Sequence, residues 1–465
     1  HDLLNAQDID VSLNIFSLIT GTIKINKIGI NSANIYVYTD SSGYSNTSMF
    51  KAKSDQQASK KDKNAFQIKR IDFNTVNLTI DNQQRFKLFN FAVNQLRGKI
   101  NYLDTGWNGK IDLQTTIKSF AFNTKKGSFL KDKTIKGTLS AHYNEKSQVI
   151  TIDQEKLNIG GDDFYIGAKI QTAEGRSGFE IAVRADKILY KNISLLLAKN
   201  ISDKLLKFAI AQPIAVVGKI VDDGNKDSKD PLIDVKMTVK NNTVSFPSGQ
   251  LTNCNFLGTF TNRDTVGKPI GDPNSAIKLF ALRGDYYNVP LKIDTFSITN
   301  LERPIGKGLV TAQFPLEKLN SSLGGETLNF KNGTADLKLY CKVDIENFKF
   351  TKPDLSGNVF IKNADITYIP RGMKLINSSL TLNFDQKNLN ITNSRFQLGK
   401  SILTMNCGIE NFLNFYYSDP QKILANLKLN SPQLNLSEFM FLLGQRKTVK
   451  RHSKNKNAIK EVCDQ

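Results

Sequence analysis

One segment of this chain alternates apolar and polar residues almost without exception, and it restricts the fold more than any other feature. It runs Ala335-Asp-Leu-Lys-Leu-Tyr-Cys-Lys-Val-Asp-Ile345. Strict alternation is typical of a β-strand with one apolar face, because successive side chains of a strand point to opposite sides of the sheet. The pattern can be extended to Phe350, which predicts a strand roughly 50 Å long at about 3.3 Å per residue. A strand of this length indicates a large sheet.

The same alternation returns twice downstream, at Leu380–Asp385 and Leu403–Glu410, with turn residues at Lys387-Asn388 and Gly399-Lys400. The sequence therefore predicts an antiparallel meander whose strands share one apolar face, with the charged residues between them facing water. The residues expected to line that face are Leu337, Leu339, Val343, Ile345, Leu380, Leu382, Phe384, Leu403, Met405 and Ile409, together with Val235, Met237 and Val239 from an earlier strand.

Two internal repeats accompany this pattern. In the first, Lys27-Ile-x-Ile-x-x-Ala-Asn-Ile-x-Val37 matches Arg70-Ile-x-Phe-x-x-Val-Asn-Leu-x-Ile80 position for position. In the second, the segment from Val239 to Asn253 matches the segment from Ile361 to Asn377, about 120 residues later. The repeat units lie near 21–46 and 66–84, and near 235–262 and 355–384. Repeats that stack edge to edge bury a continuous apolar surface that no single copy could bury.

Most of the remaining chain is also predicted to be β-structure. Two strands split by Asn31-Ser32 are expected over 21–46, closed by a turn at Gly43. Short strands punctuated by glycines are expected over Phe86–Phe122, and at least four more over Ile135–Ile170. The fold class is therefore mainly β: a long, open, twisted antiparallel β-groove of stacked meander repeats with a few short amphipathic helices.

The longest of these helices is predicted at Ile193–Ile210, near 193–211. Its apolar residues recur about every four positions, which is typical of an amphipathic helix packed on a sheet, and Pro213 follows it. Shorter helices are expected at Pro315–Leu323 and Leu434–Leu443.

No Pro-rich or Gly/Ser-rich linker divides the 465 residues. We therefore expect one continuous repeating β-groove over 1–444, followed by a basic, disordered tail or linker over 445–465. Polar loops are expected at 51–64 and 222–230. Because the chain begins with His1, we also expect its natural N-terminus to lie upstream.

Charge and motifs limit the function classes. The formal net charge is +20, and a cluster of basic residues in the tail indicates binding to the anionic headgroups of a membrane. These residues are Arg446, Lys447, Lys450, Arg451, Lys454, Lys456 and Lys460. A nucleic-acid partner is not expected, because no zinc-finger, RNP-like or helix-turn-helix signature is present. A membrane-spanning helix needs about 18 consecutive apolar residues, and the sequence has no such run.

An enzyme, a cofactor and a metal site are likewise not expected. None of the three histidines is spaced as a ligand, and neither a GxSxG nor an HExxH motif occurs. The acidic cluster Gly160-Gly-Asp-Asp163 favours a turn between strands over a calcium site. The cysteines show no CxxC spacing, so we expect small buried apolar residues.

In these patterns the chain resembles the AsmA family of Gram-negative envelope proteins. The likeness lies in Asp10–Leu13 with 21–46, in Pro247–Asn262 with Pro290-Leu291 and Leu301–Pro304, and in Leu355–Phe412. The resemblance implies a periplasmic body built as an open β-groove, anchored in the inner membrane by an N-terminal helix that this fragment lacks. It also implies phospholipid as the ligand, transport from the inner to the outer membrane, and envelope proteins as further partners.

Two alternatives remain open on the sequence. The same alternation could build the core of a closed β-sandwich that holds no lipid. An exposed sheet edge and the basic tail could instead form a scaffold that supports outer-membrane protein assembly by strand addition.

Overall fold

The protein is mainly β-structure, arranged as an open, mostly antiparallel sheet with few short helices, which confirms the predicted fold class. The computed structural model describes residues 2–13, 25–48, 67–173, 178–222, 230–247, 249–322, 328–346, 349–412 and 424–443. The chain divides into two compact units, one made of 1–237 with 260–274 and the other of 238–259 with 275–465. The single continuous groove over 1–444 stays a prediction, and the loop at 51–64 and the tail at 445–465 lie outside the described residues.

The first unit is a meander with one parallel step. Its strands are β1 (Leu4–Leu13), β2 (Ile25–Thr39), β3 (Ile68–Asn82), β4 (Lys87–Leu103), β5 (Gly106–Ala121), β6 (Thr134–Asn144), β7 (Val149–Ile159), β8 (Asp162–Gln171), β9 (Gly178–Ile188), β10 (Ala209–Ile210) and β11 (Ile214–Asp222). Neighbours from β3 to β9 pair antiparallel, as do β1 with β2 and β9 with β11. Only β2 and β3 among these described pairs run parallel.

Most of the second unit is an antiparallel meander. Two other strands, β12 (Leu232–Phe246) and β13 (Gly249–Thr261), come before this meander in the chain. The strands of the meander are β14 (Ala276–Tyr286), β15 (Val289–Thr299), β16 (Ile305–Pro315), β17 (Leu328–Glu346), β18 (Lys349–Tyr368), β19 (Met373–Gln386), β20 (Asn388–Leu398), β21 (Ser401–Glu410) and β22 (Leu424–Gln433). Each strand from β14 to β22 pairs with the next.

The first internal repeat coincides with the parallel step. β2 and β3 pair in the register of the repeat, so that Ile28 lies opposite Ile71 and Ala33 lies opposite Val76. The two copies therefore place matching residues side by side. The amide of Asn74 donates to the Asn31 side chain at 3.0 Å, and Asn77 donates to Asn34 at the same distance.

A second regularity is a left-handed residue inside a strand. Among the described residues, eight strands contain a non-glycine residue of this kind in their interior, and each is followed by a buried residue. The left-handed residues are Ser32, Thr75, Asn241, Asn253, Ala281, Asn363, Asn377 and Asn393. Such a residue inserts a bulge that bends the strand without ending it. The second repeat marks these bends, because its matched positions include Asn241 with Asn363 and Asn253 with Asn377.

Several predicted strand boundaries are wrong. Asn31-Ser32 does not split two strands; Ser32, with φ of 49°, bends the single strand β2. Over Phe86–Phe122 the chain forms two long strands, β4 and β5, because Gly98 lies between Ile71 and Ile111 inside the sheet. Over Ile135–Ile170 there are three strands where four were predicted.

The long strand is shorter at one end than predicted. β17 ends at Glu346, which pairs with Lys349, and Phe350 belongs to β18 opposite Ile345. The apolar positions change from odd to even numbers between Ile345 and Phe350, and that change is the sign of a hairpin. The turns predicted at 387–388 and 399–400 are confirmed as hairpin connections.

The predicted helix over Ile193–Ile210 is also wrong in extent. The segment forms two short helices, α1 (Tyr190–Ser194) and α2 (Lys199–Leu205), and then β10. The break occurs because the Leu196 carbonyl accepts a hydrogen bond from the Leu130 amide at 2.7 Å, and Ala198 has extended backbone angles. The helical turns predicted near 315–323 and 434–443 are confirmed as a 3₁₀ turn with α3 (Leu319–Ser322) and as a 3₁₀ helix at Leu436–Leu443.

Candidate functional site

The second unit carries an apolar row that crosses nine strands. In an antiparallel sheet, residues directly opposite each other point to the same face. The pairings place on one face Leu282, Ile293, Val310, Leu339, Gly357, Phe384, Leu389, Ile409 and Ala425, from β14 to β22. Eight strand spacings of about 4.8 Å give this row a length of about 38 Å along the sheet. We call the surface built on this row the apolar face.

The row one residue away is polar and points to the other side. It consists of Arg283, Lys292, Thr311, Lys338, Asn358, Asn383, Asn390, Gly408 and Asn426. Strand alternation therefore separates the two faces over the full width of the β14–β22 meander. This regular separation extends across nine strands, so the apolar face is a property of the whole meander and not of one or two strands.

The residues that the sequence predicted for this face are half-buried or buried. Val239, Val343 and Leu403 are buried, and the other ten have intermediate exposure. Most lie in β17, β19 and β21 and are joined through β18 and β20; for example, Leu337 and Leu382 both lie opposite Val359. Val235 and Met237 belong to the first unit, where Val235 packs near Gly218.

The part of the face in β14–β16 is not predicted by the sequence pattern. In β16 the inward positions include Gly306 and Gly308, so the alternation is not visible as apolar side chains. The Phe296 ring covers both glycines, since a Cβ at Gly308 would lie 2.7 Å from it. Lys307, Leu309 and Gln313 are exposed between the inward positions, and that alternating pattern could have indicated the strand.

Coverage of the face varies along the meander. A buried cluster of Ala312, Phe314, Leu316, Phe330, Ala335 and Ala364 covers it in β16–β18, near the 3₁₀ turn that precedes α3. Leu398 and Leu403 are also buried, in β20 and β21, whereas Leu339, Leu382 and Phe384 are half-buried. On β22, Leu427 is 61% and Leu429 52% exposed, although they lie opposite Cys407 and Met405. The face is thus packed in part of β16–β18 and accessible on β22.

The first unit has apolar rows of its own. Val11, Ile28, Ile71, Gly98, Ile111 and Leu139 follow one another from β1 to β6. Beside Phe179 lies a buried ion cluster, in which Asp222 accepts hydrogen bonds from Arg85 at 2.9 Å and from Lys87. The Lys87 ammonium lies 5.4 Å from the Phe179 ring centre, and burial lowers its pKa while Asp222 acts in the opposite direction.

A cavity of about 810 Å³ in the first unit offers a more conventional site. Its lining includes Phe179, Glu180 and Asp222. Glu180 pairs with Lys219 at 2.9 Å, and Asp222 is held by the buried cluster. The carboxylates of this cavity therefore have cationic partners, as structural ion pairs do.

Other candidate chemical groups have structural roles. Gly160 and Gly161 form the β7–β8 turn, where Asp163 pairs with Lys156 at 2.7 Å, and this pairing lowers the Asp163 pKa. Burial raises the pKa of the Cys254 thiol to about 11. Within the described part of the chain, no group of three metal-ligating side chains occurs, and no helix is both long and apolar enough to cross a bilayer.

Comparison of the chain with protein-family models, with curated proteins and with solved structures finds no match. The likeness to the AsmA family therefore rests on sequence patterns alone.

Proposed function

We propose that this chain binds the acyl chains of phospholipids on its apolar face and shields them from water during transfer between membranes. The observation that supports this proposal is the row of apolar residues from Leu282 to Ala425, which is opposed by a polar row and left accessible toward β22. A soluble sheet normally covers such a face with a second layer. The open sheet argues against the closed β-sandwich alternative.

The energies involved are large enough to need such a surface. An acyl chain of about 16 methylenes that leaves a bilayer for water costs on the order of 13 kcal/mol, at about 0.8 kcal/mol per methylene. Contact with half-buried side chains such as Leu339 and Phe384 removes part of that cost at every strand. The polar headgroup remains in water, because the sheet is open.

The AsmA resemblance supplies the cellular setting of the proposal. A member of that family would work in the periplasm, anchored at the inner membrane, and would move phospholipid toward the outer membrane. The formal charge of +20 fits anionic headgroups.

The test places two carboxylates on the apolar face. Leu339→Asp with Leu382→Asp should leave the chain folded, because both positions are half-buried and an introduced carboxylate can hydrate. Binding of a fluorescent fatty acid should fall about tenfold or more, since an acyl chain cannot pass a hydrated charge without desolvating it. Lipid transfer between donor and acceptor vesicles should fall with it.

The matched control is Asn358→Asp with Asn383→Asp, which adds the same charge to the polar row on the other side of the sheet. The control should bind and transfer lipid as the parent does. A folded Leu339→Asp, Leu382→Asp chain that transfers lipid at the parental rate would end the conduit proposal and favour the scaffold alternative.

A further inference from the structure

Three apolar side chains of the segment that follows β22 are turned to solvent. Leu434, Leu436 and Met440 are 51%, 71% and 61% exposed. They lie at and around the 3₁₀ helix Leu436–Leu443. A helix on the surface of a soluble protein normally turns its apolar residues inward, so this orientation needs a physical cause.

The cause is a polar anchor on the protein side of the helix. The Glu438 carboxylate accepts hydrogen bonds from the backbone amides of Lys400 and Ser401 at 2.7 and 3.0 Å and from the Ser401 hydroxyl at 2.7 Å. The Asn435 amide donates to the same hydroxyl at 2.9 Å. These contacts lower the Glu438 pKa. The charged residue thus faces the protein, while Leu436 and Met440 face water.

This segment continues the accessible end of the apolar face. In β22, Leu427 and Leu429 belong to the apolar face and are 61% and 52% exposed. Between 424 and 443 the only charged residues are Lys428 and Glu438, and Glu438 is held by the β20–β21 turn. Leu427 and Leu429 of β22 and Leu434, Leu436 and Met440 after it are thus exposed apolar residues of one segment of low charge, and we call these five residues the β22 patch.

The charge of the chain indicates what covers the β22 patch. Seven cations follow between 446 and 460, a range that contains no carboxylate. A second copy of a chain with net charge +20 would be repelled, whereas an anionic membrane attracts the cations and accepts the apolar side chains.

We propose that the β22 patch docks on an anionic phospholipid membrane and that lipid enters or leaves the apolar face at this end. The entry or exit of lipid at this end rests on the proposed function, whereas membrane docking can be measured independently of lipid binding. Glu438 holds the 3₁₀ helix so that Leu436 and Met440 insert at the headgroup level, while the opposite, polar side stays attached to the sheet.

Flotation with vesicles of phosphatidylethanolamine and phosphatidylglycerol tests the docking. Leu436→Ser with Met440→Ser should weaken binding about tenfold or more, because two apolar side chains no longer enter the membrane. Leu257→Ser with Val266→Ser removes two exposed apolar side chains elsewhere and should change nothing. Binding of the parent should weaken with added salt and on vesicles of phosphatidylcholine alone.

Two results would overturn the proposal. The first is parental flotation by the Leu436→Ser, Met440→Ser chain. The second is a parent that does not float but self-associates through Leu436 and Met440 in light scattering, which would make the β22 patch a contact between copies. If the double variant unfolds, the Met440→Trp variant tests insertion instead. Brominated phospholipid should quench the tryptophan emission of this variant more than that of the parent, whose only tryptophan is Trp107. Equal quenching of the two chains would contradict insertion.

The two proposals fail in different ways. A chain that loses docking through Leu436→Ser and Met440→Ser should still bind a soluble fluorescent fatty acid. A chain with Leu339→Asp and Leu382→Asp should still float with vesicles and lose the fatty acid. Loss of both properties in both variants would contradict a separate docking surface.

Discussion

Single residues decide where the strands bend. At Asn363 the backbone is left-handed, with φ of 52°, and the next residue, Ala364, is completely buried. Asparagine tolerates this conformation better than other residues with a Cβ. On the neighbouring strand, position 333 has to be glycine, because a Cβ there would lie 2.6 Å from the Ala364 Cα. The bend therefore needs a residue that accepts positive φ at 363 and a residue without a side chain opposite it.

Asn363→Val should destabilise the chain by about 1–2 kcal/mol, because a β-branched side chain clashes in the left-handed region. Asn363→Gly should have little effect. Asn358→Val is the control in the same strand, at an extended position where valine is favoured. Chemical unfolding measures all three; equal losses for the two valine variants would contradict the bend.

The buried ion cluster is the second residue-scale feature. Asp222→Asn would leave the buried Lys87 without its carboxylate, and breaking a buried pair costs about 3–5 kcal/mol. Glu180→Gln removes a more exposed carboxylate and should cost less than about 1 kcal/mol. Similar unfolding free energies for the two variants would show that Asp222 is not needed to balance Lys87.

At the scale of elements, the 3₁₀ helix Leu436–Leu443 is attached to the β20–β21 turn through one carboxylate. A Cβ at Gly399 would collide with the Glu438 carboxylate, so glycine permits the close approach. Short helices are not stable alone in water. The position of this element therefore depends on Glu438.

The attachment should depend on pH. Because the folded-state pKa of Glu438 is lowered, its stabilising contribution is present above the ordinary glutamate pKa of about 4.3 and is lost as pH falls through the lower folded value. Hydrogen exchange over 436–443 should therefore rise at low pH relative to exchange in β19. Glu438→Gln should show fast exchange already at neutral pH, while Glu410→Gln should not.

At the scale of the whole molecule, two meanders present apolar rows over many strands, and much of this surface is half-buried. The chain should therefore be more stable with acyl chains bound. A ligand at 100 times its Kd stabilises by about 2.7 kcal/mol. Delipidation should lower the Tm, and adding phospholipid should restore it; native mass spectrometry should detect phospholipid in the purified chain. A Tm unaffected by delipidation would contradict occupancy of the face.

Local patterns were sufficient for the class of fold and for the core of the candidate site. The alternation in 335–345 determines which residues of β17 share a face, because the side-chain period of a strand is two. The repeat from Lys27 to Val37 contained the register of β2 against β3, although not the parallel direction. The thirteen predicted residues lie in sheet positions that are at least half-buried.

Other features depended on contacts between distant residues. Asn31-Ser32 has turn chemistry, and whether it ends a strand or bends it depends on the neighbours that continue the hydrogen bonding on both sides. The segment 193–210 has helical periodicity, but the Leu130 amide donates a hydrogen bond to the Leu196 carbonyl, and the segment is divided into two helices there. The exposed position of Leu436 likewise follows from Glu438 bonding to a turn 37 residues earlier. Periodicity reports which side of an element is apolar; only the packed chain decides whether that side is covered.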